Sequence, residues 1–176
     1  MVEDIVVRRA VVEDLHDLAD LAARSFRDTF EVDNDAKNIE AYLRSSLTVE
    51  STRNELDDTS SIFLVACRGG HAAPVGYAKL STTGEDPSIN DQNIIEIQRI
   101  YADKSEIGRG VGAALMRACL GIAEDLRCGT VWLGVWDRNE RAILFYERWG
   151  FTTVGARQFA LGSELQNDLV MARRLT

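Results

Sequence analysis

The sequence contains few of the residues that build metal centres, disulfide scaffolds or histidine-based catalytic sites. Its 176 residues include three cysteines, Cys67, Cys119 and Cys128, and two histidines, His16 and His71. The cysteines are odd in number and lack metal-ligand spacing, so we expect them to be reduced and to pack as small apolar side chains. The histidines lie in a charged helical segment and in a Gly-Gly-His turn, so we expect neither a metal ion nor a histidine-based triad.

Long apolar runs and an excess of positive charge are also missing. No apolar run approaches the roughly 18 residues of a membrane span, and the N-terminal Met-Val-Glu-Asp lacks the basic region of a secretory signal. We therefore expect a cytoplasmic protein without a membrane partner. The formal net charge of -8 disfavours a nucleic-acid partner, which needs a basic face. It suits a cationic substrate, although solubility alone would explain the same charge.

The composition is that of a globular domain, with 45% hydrophobic and 27% charged residues. No repeat, low-complexity tract or linker divides the chain, so we expect a single domain over residues 1–176. Strand and helix patterns follow one another in the order β-α-α-α-β-β-β-α-β-α-β-β, which predicts an α/β (α+β) protein. An apolar dimer surface and a groove for another partner share one pattern, so a homodimer stays open.

The most informative stretch is Ile107-Gly108-Arg109-Gly110-Val111-Gly112, between a predicted strand and a helix with Leu115, Cys119, Ile122 and Leu126 on one face. Glycines at alternate positions remove the Cβ atoms that keep an anion from the backbone. The free N–H groups and the dipole at the start of the next helix add to the attraction. The spacing matches neither a Walker A loop nor a dinucleotide fingerprint. A glycine-rich turn into a core helix is the alternative.

A second motif follows about thirty residues later. Residues 139–151 read Asn-Glu-Arg-Ala-Ile-Leu-Phe-Tyr-Glu-Arg-Trp-Gly-Phe, which predicts a short helix ended by a glycine. Together the two stretches resemble the R/Q-x-x-G-x-G/A loop and the N-x-x-A-x-x-F-Y-x-x-x-G-F segment of the GNAT N-acetyltransferases, which bind acetyl coenzyme A. Ile107 departs from the Arg or Gln of that loop, although Arg109 lies within it and offers a charge.

This resemblance covers nearly the whole chain and implies the GNAT fold, a mixed, mostly antiparallel central sheet flanked by helices. It also implies an acetyl coenzyme A site. The implied donor contacts are the loop 107–112, the central strand and the start and middle of the next helix, namely Ile100, Tyr101, Ala102, Ile107, Gly108, Arg109, Gly110, Val111, Gly112, Asn139 and Tyr146.

Two catalytic roles follow from the same resemblance. Glu96 matches the general base of related histone acetyltransferases, and strand alternation puts it on one face with Gln98 and Ile100. A structural carboxylate or a substrate anchor is the alternative for Glu96. Tyr146 matches the tyrosine that protonates the leaving thiolate, and a half-buried aromatic is its alternative. An amine must lose a proton before it attacks, which is why a base is needed.

The acceptor is predicted from a narrower resemblance. The segments 26–30, 132–136 and 166–171 look like those of PaiA-type bacterial spermidine/spermine acetyltransferases, which implies a polyamine or another small amine. Asp28, Glu31, Asp33 and Asp35 lie in the region that borders the amine site in this fold, and Glu96 is a further candidate contact. The open alternatives are an aminoglycoside, an amino acid or a protein N-terminus as acceptor, or a non-catalytic regulatory protein that binds coenzyme A.

Overall fold

The computed structural model describes residues 4–69 and 73–175, so His71 and the centre of the predicted turn over 69–74 lie outside the described residues. The helices and strands occur in the predicted order. In chain order they are β1 (Ile5–Arg9), α1 (Leu15–Phe30), α2 (Ala36–Ser46), α3 (Val49–Asp57), β2 (Ser61–Arg68), β3 (Pro74–Ser81), β4 (Ile94–Ala102), α4 (Val111–Asp125), β5 (Thr130–Trp136), α5 (Glu140–Arg148), β6 (Thr152–Leu161) and β7 (Glu164–Arg174).

The strands form one sheet in the order β1-β2-β3-β4-β5-β7-β6. Neighbouring strands are antiparallel, except for β4 and β5, which are parallel. The prediction of a mixed and mostly antiparallel sheet is therefore confirmed. β4 has nine residues and β5 has seven. Only residues 94–96 of β4 pair with residues 130–132 of β5. The two strands part beyond these pairs and leave a gap in the middle of the sheet.

Each face of the sheet carries its own apolar core. Helices α4 and α5 cover one face, where Leu115 and Cys119 are fully buried. Helices α1 and α2 cover the other, where Leu18 and Phe26 are buried. The prediction that Leu126 belongs to the apolar face of α4 is wrong, because the helix ends at Asp125 and Leu126 is 45% exposed. Within the described ranges, no helix is long and apolar enough to cross a membrane.

A β-bulge in the central strand corrects one prediction about side-chain direction. The pairing of β3 with β4 skips one residue of β4 at Gln98. An extra residue reverses the alternation of side chains along a strand. Ile100 therefore packs on the α4 side, whereas Glu96 lies on the α1 side together with Tyr101. The prediction that Glu96, Gln98 and Ile100 share one face is wrong for this reason.

Candidate active site

One cavity of about 630 Å³ occupies the gap between β4 and β5. Residues 97–102 of β4 and 134–136 of β5 line its middle. The glycine loop and α5 line it on the α4 side, and aromatic side chains of α1 and α2 line it on the α1 side. The cavity therefore joins the two regions in which the sequence predicts the donor and the acceptor.

The glycine loop has the backbone geometry of an anion site. Gly108 and Gly110 have φ angles of 78° and 90°, in the left-handed region that favours glycine. Helix α4 begins directly after Gly110, which caps it without a side chain, so the first N–H groups of the helix are open to a ligand. A Cβ on Gly112 would lie 3.6 Å from the ring of Phe145, which is ordinary contact. The need for glycine is therefore conformational at 108 and 110.

The loop residues divide into those that face the cavity and those that do not. Ile107, Gly108, Gly110 and Gly112 line it. Val111 is buried in the core, and the exposed Arg109 is not among the lining residues, so neither side chain joins the site. Besides Arg99 and Arg157, which are described below, three other cationic side chains line the cavity, and none of them was predicted from the sequence. They are Lys104, Arg141 and Arg148.

The predicted central-strand residues line the middle of the cavity. Ile100, Tyr101 and Ala102 all do so. In the described part of the chain, β5 pairs with β4 only as far as residue 96, so the backbone groups of these three residues that point towards β5 have no partner from β5. Backbone N–H and C=O groups left open at the wall of a cavity are available to a ligand.

Helix α5 brings Asn139 and Tyr146 to the same cavity. The Asn139 side chain accepts a hydrogen bond from the N–H of Ala142 at 3.2 Å and so caps the helix. Tyr146 is buried, and its burial raises the pKa of its phenol above the usual value. The phenol is protonated at neutral pH, as at its usual pKa, and the raised pKa means that it holds its proton more tightly. Both residues line the cavity, as an interaction with the donor requires.

Glu96 is buried behind two other polar side chains. Its Oε1 lies 3.4 Å from both terminal nitrogens of Arg157, and its Oε2 accepts a hydrogen bond from Gln98 at 3.1 Å. Gln98 and Arg157 line the cavity, but Glu96 is not among the lining residues. The guanidinium of Arg157 lies over the ring of Trp132 and so close to Gly134 that a Cβ there would collide with it. Glu96 thus holds Gln98 and Arg157 in position.

Aromatic side chains form the wall of the cavity on the α1 side. The rings of Phe26 and Tyr42 are stacked with their centroids 4.4 Å apart. The complete aromatic set on this side is Phe26, Phe30, Tyr42, Tyr77, Tyr101, Trp136 and Phe159. Such walls bind alkyl chains through burial and cations through their faces.

The four predicted acidic residues separate in the structure. Asp28 on α1 lines the cavity. Glu31 and Asp33 are exposed beyond the end of α1 and do not line it. Asp35 caps α2 and accepts a hydrogen bond from the N–H of Lys37 at 2.7 Å. The structure therefore brings only Asp28 of this group to the cavity.

Asp168 on β7 lines the cavity and was not predicted from the sequence. It is 8% exposed and pairs in register with Trp136 of β5 and Arg157 of β6. Burial raises the pKa of its carboxyl to about 6, although Arg157 opposes the change. One signal in the sequence could have found it: Gln166 and Asp168 alternate with other residues along a strand that continues into the buried Val170, so they share its face.

Arg99 also lines the cavity, and its guanidinium forms an ion pair with the carboxylate of Glu55. Both of its terminal nitrogens donate to the carboxylate of Glu55, at 2.7 and 2.9 Å. The Nζ of Lys79 lies 2.9 Å from the same carboxylate. Burial and these charge-assisted contacts make the three side chains a fixed support beneath the acceptor side.

Known proteins resemble this chain in sequence. Residues 15–151 match the model of the acetyltransferase (GNAT) family. An uncharacterised N-acetyltransferase of Lactobacillus delbrueckii subsp. lactis is 30% identical over 163 residues, which cover 93% of this chain and 93% of that protein. A spermine/spermidine N(1)-acetyltransferase of Bacillus subtilis is 28% identical over 86 residues, which cover 48% of this chain and 57% of that protein.

Solved structures show the same fold. The crystal structure of the PaiA N-acetyltransferase from Thermoplasma acidophilum in complex with coenzyme A superposes with a TM-score of 0.78 at 21% sequence identity. The match covers 98% of this chain and 99% of that one. The predicted GNAT fold is therefore confirmed. The family model matches most of the chain and the fold agrees with it, so this chain belongs to the GNAT family of acetyltransferases.

Proposed function

We propose that this chain transfers the acetyl group of acetyl coenzyme A to a primary amine of a small cation, with a polyamine such as spermidine or spermine as the first candidate. We also propose that residues 1–176 act as one domain. The observation that carries the proposal is the cavity between β4 and β5, which joins the glycine loop to an aromatic pocket with carboxylates. Donor and acceptor would meet in the gap from opposite faces of the sheet, so transfer would be direct.

The donor side supplies anion binding and carbonyl polarisation. The open N–H groups at the start of α4 would bind the pyrophosphate, and Lys104, Arg141 and Arg148 add positive charge. The unpaired backbone groups of residues 100–102 would hydrogen-bond the donor's arm and its carbonyl oxygen, where negative charge develops during transfer. Bound acetyl coenzyme A supplies an activated thioester at this point.

The leaving group and the attacking amine each need a proton transfer. Tyr146 would protonate the leaving sulfur, because its buried phenol keeps its proton at neutral pH. Asn139 would contact the donor's arm from the start of α5. Glu96 as the base stays a prediction, and a proton would have to reach it past Gln98 or Arg157, which separate it from the cavity.

The acceptor side favours a cation with an apolar body. Asp28 and Asp168 supply negative charge within an aromatic wall, which suits ammonium groups separated by methylenes. Glu31 and Asp33 are exposed nearby and would act on a polycation through their field. The polyamine is supported further by the Bacillus subtilis relative that bears the name of a spermine/spermidine acetyltransferase.

The test is thiol release from acetyl coenzyme A by the full chain, with spermidine, spermine, a lysine peptide, an amino acid and an aminoglycoside as acceptors. We expect the two polyamines to give the highest kcat/KM. Faster turnover of another amine would keep the acetyltransferase and reject the polyamine. Tight donor binding by calorimetry without turnover of any amine would favour a coenzyme A sensor.

A further inference from the structure

We propose that Asp168 receives the ammonium group of the acceptor and takes its proton before acetyl transfer. This inference rests on the proposed acetyltransferase activity and assigns the acceptor's contact to β7, outside the glycine loop and the α5 motif. It also separates this role from that of Glu96, for which the sequence predicts the base.

The position of Asp168 is the first support. It lies on β7 directly across from Trp136, which belongs to the stretch of β5 that lines the gap. Side chains of directly paired strand residues have their Cβ atoms about 5 Å apart. The carboxylate therefore lies one strand away from the gap, on the face where the acceptor would enter.

The carboxylate of Asp168 is buried without a hydrogen-bond donor. Within residues 4–69 and 73–175, no donor forms a hydrogen bond to it, although only 8% of the residue is exposed. A mostly buried carboxylate without a hydrogen-bond donor is unfavourable even though the charge of Arg157 offsets part of the cost, so a ligand that donates hydrogen bonds would stabilise it. An ammonium group would supply the hydrogen bonds and a second positive charge, and the rings of Tyr42, Tyr101 and Trp136 would surround its alkyl chain.

The state of Glu96 differs in this respect. Its two oxygens are engaged, one by Arg157 and the other by Gln98, and it does not line the cavity. An amine in the cavity would meet Asp168 directly, whereas it would meet Glu96 only after Gln98 or Arg157 had moved. Of the two carboxylates, Asp168 is the one open to the acceptor.

The charged and titratable groups around Asp168 suit a base at neutral pH. Burial raises the pKa of its carboxyl to about 6, Arg157 on β6 opposes this change, and Asp137 after β5 adds to it. Tyr42 on α2 and Tyr101 on β4 have pKa values raised by burial, so they stay neutral. A base works best when its pKa lies near the working pH, because it is then ionised and still accepts a proton.

The groups named above account for every proton and every bond in the transfer. The ammonium gives one proton to Asp168, and the freed nitrogen pair attacks the acetyl carbonyl carbon. The C–N bond forms, the C–S bond breaks, and the sulfur leaves with the bonding pair. Tyr146 protonates the sulfur and regains a proton from the new amide nitrogen. Asp168 returns its proton to solvent, so the net products are an amide, coenzyme A and one proton.

The experiment compares Asp168→Asn, Asp168→Glu and wild type with the amine of the panel that turns over fastest. We expect Asp168→Asn to bind acetyl coenzyme A within about twofold of wild type and to lose at least about 100-fold in kcat/KM for the amine. The rise of kcat/KM with pH near 6 should disappear in Asp168→Asn and persist in Asp168→Glu. Asp137→Asn is the matched control, in which the rise should persist and move to lower pH.

Several results would overturn the role of Asp168. An Asp168→Asn variant with kcat/KM within about threefold of wild type and an unchanged pH profile would do so. Loss of the pH-dependent rise in Glu96→Gln but not in Asp168→Asn would give the base role to Glu96. If wild type turns over no amine, the proposed function fails first, and calorimetry of spermidine with the coenzyme A complex then decides: binding lost in Asp168→Asn supports the contact, and equal binding or none overturns it.

Discussion

Replacing Asp168 with Asn should make the folded protein more stable at pH 7.5, although it should impair catalysis. The carboxylate loses hydration on folding and gains no hydrogen-bond donor from the described residues. Its pKa rises from 3.8 to about 6. A rise of this size corresponds to roughly 3 kcal/mol of destabilisation once the group is ionised in both states. Because water in the cavity screens part of this cost, we expect a gain of about 1 to 2 kcal/mol from the substitution.

The pH dependence of this effect has a definite sign. The folded state holds the Asp168 proton more tightly than the unfolded chain does, since burial raises the pKa. The resulting stability is fully present below the unfolded value of 3.8 and is lost as the pH rises through about 6. Asn carries no such proton. The difference between the variant and wild type should therefore be small near the acid end and should grow across this window.

Urea unfolding followed by tryptophan fluorescence measures this difference. The free energy of unfolding of wild type, Asp168→Asn and the exposed control Asp137→Asn should be compared at about pH 4.5, 6 and 7.5. An Asp168→Asn variant that is less stable than wild type at pH 7.5, or whose difference from wild type does not change with pH, would refute the reasoning. Such a result would mean that the carboxylate is satisfied in the folded state.

Three further substitutions test other parts of the site. Tyr146→Phe should lower kcat by about 100-fold or more with an unchanged Kd for acetyl coenzyme A, because it removes only the proton donor; an equal loss of donor affinity would contradict this. Gly110→Glu should abolish donor binding in calorimetry, because it puts a side chain and a negative charge on a left-handed loop residue. Gly121→Glu, within α4 and with open space at its Cβ position, should not. Glu55→Gln should lower the free energy of unfolding by about 2 to 3 kcal/mol in urea, since it leaves Arg99 without its counter-charge; an unchanged value would show that the pair is not stabilising.

The opposing effects expected of Asp168→Asn, a gain of stability with a loss of turnover, are typical of a binding site. A carboxylate that binds a ligand is incompletely solvated when the ligand is absent, and this desolvation lowers the stability of the folded protein. Glu55 is the opposite case, because its carboxylate is already satisfied by Arg99 and Lys79. The two carboxylates near one cavity therefore predict stability changes of opposite sign.

The sequence predictions that the structure confirms depend on patterns within short segments. The order of strands and helices follows from hydrophobic periodicity, which depends on neighbours a few residues apart. The glycine loop is equally local, since Gly108 and Gly110 need backbone angles that only their own residue type makes easy. The same holds for Asn139, which caps the helix that begins at the next residue.

Pairing between distant segments decided the rest. The bulge at Gln98 depends on the pairing with β3, and it puts Glu96 and Ile100 on opposite faces although simple alternation puts them on one face. The gap exists because β5 pairs with only three residues of β4, and Asp168 faces it because of the order of β5, β7 and β6 in the sheet. The sequence by itself therefore determined the elements and the donor loop, whose causes lie within short segments. Only the tertiary structure decided which carboxylates reach the cavity, because strand register and burial depend on residues far apart in the chain.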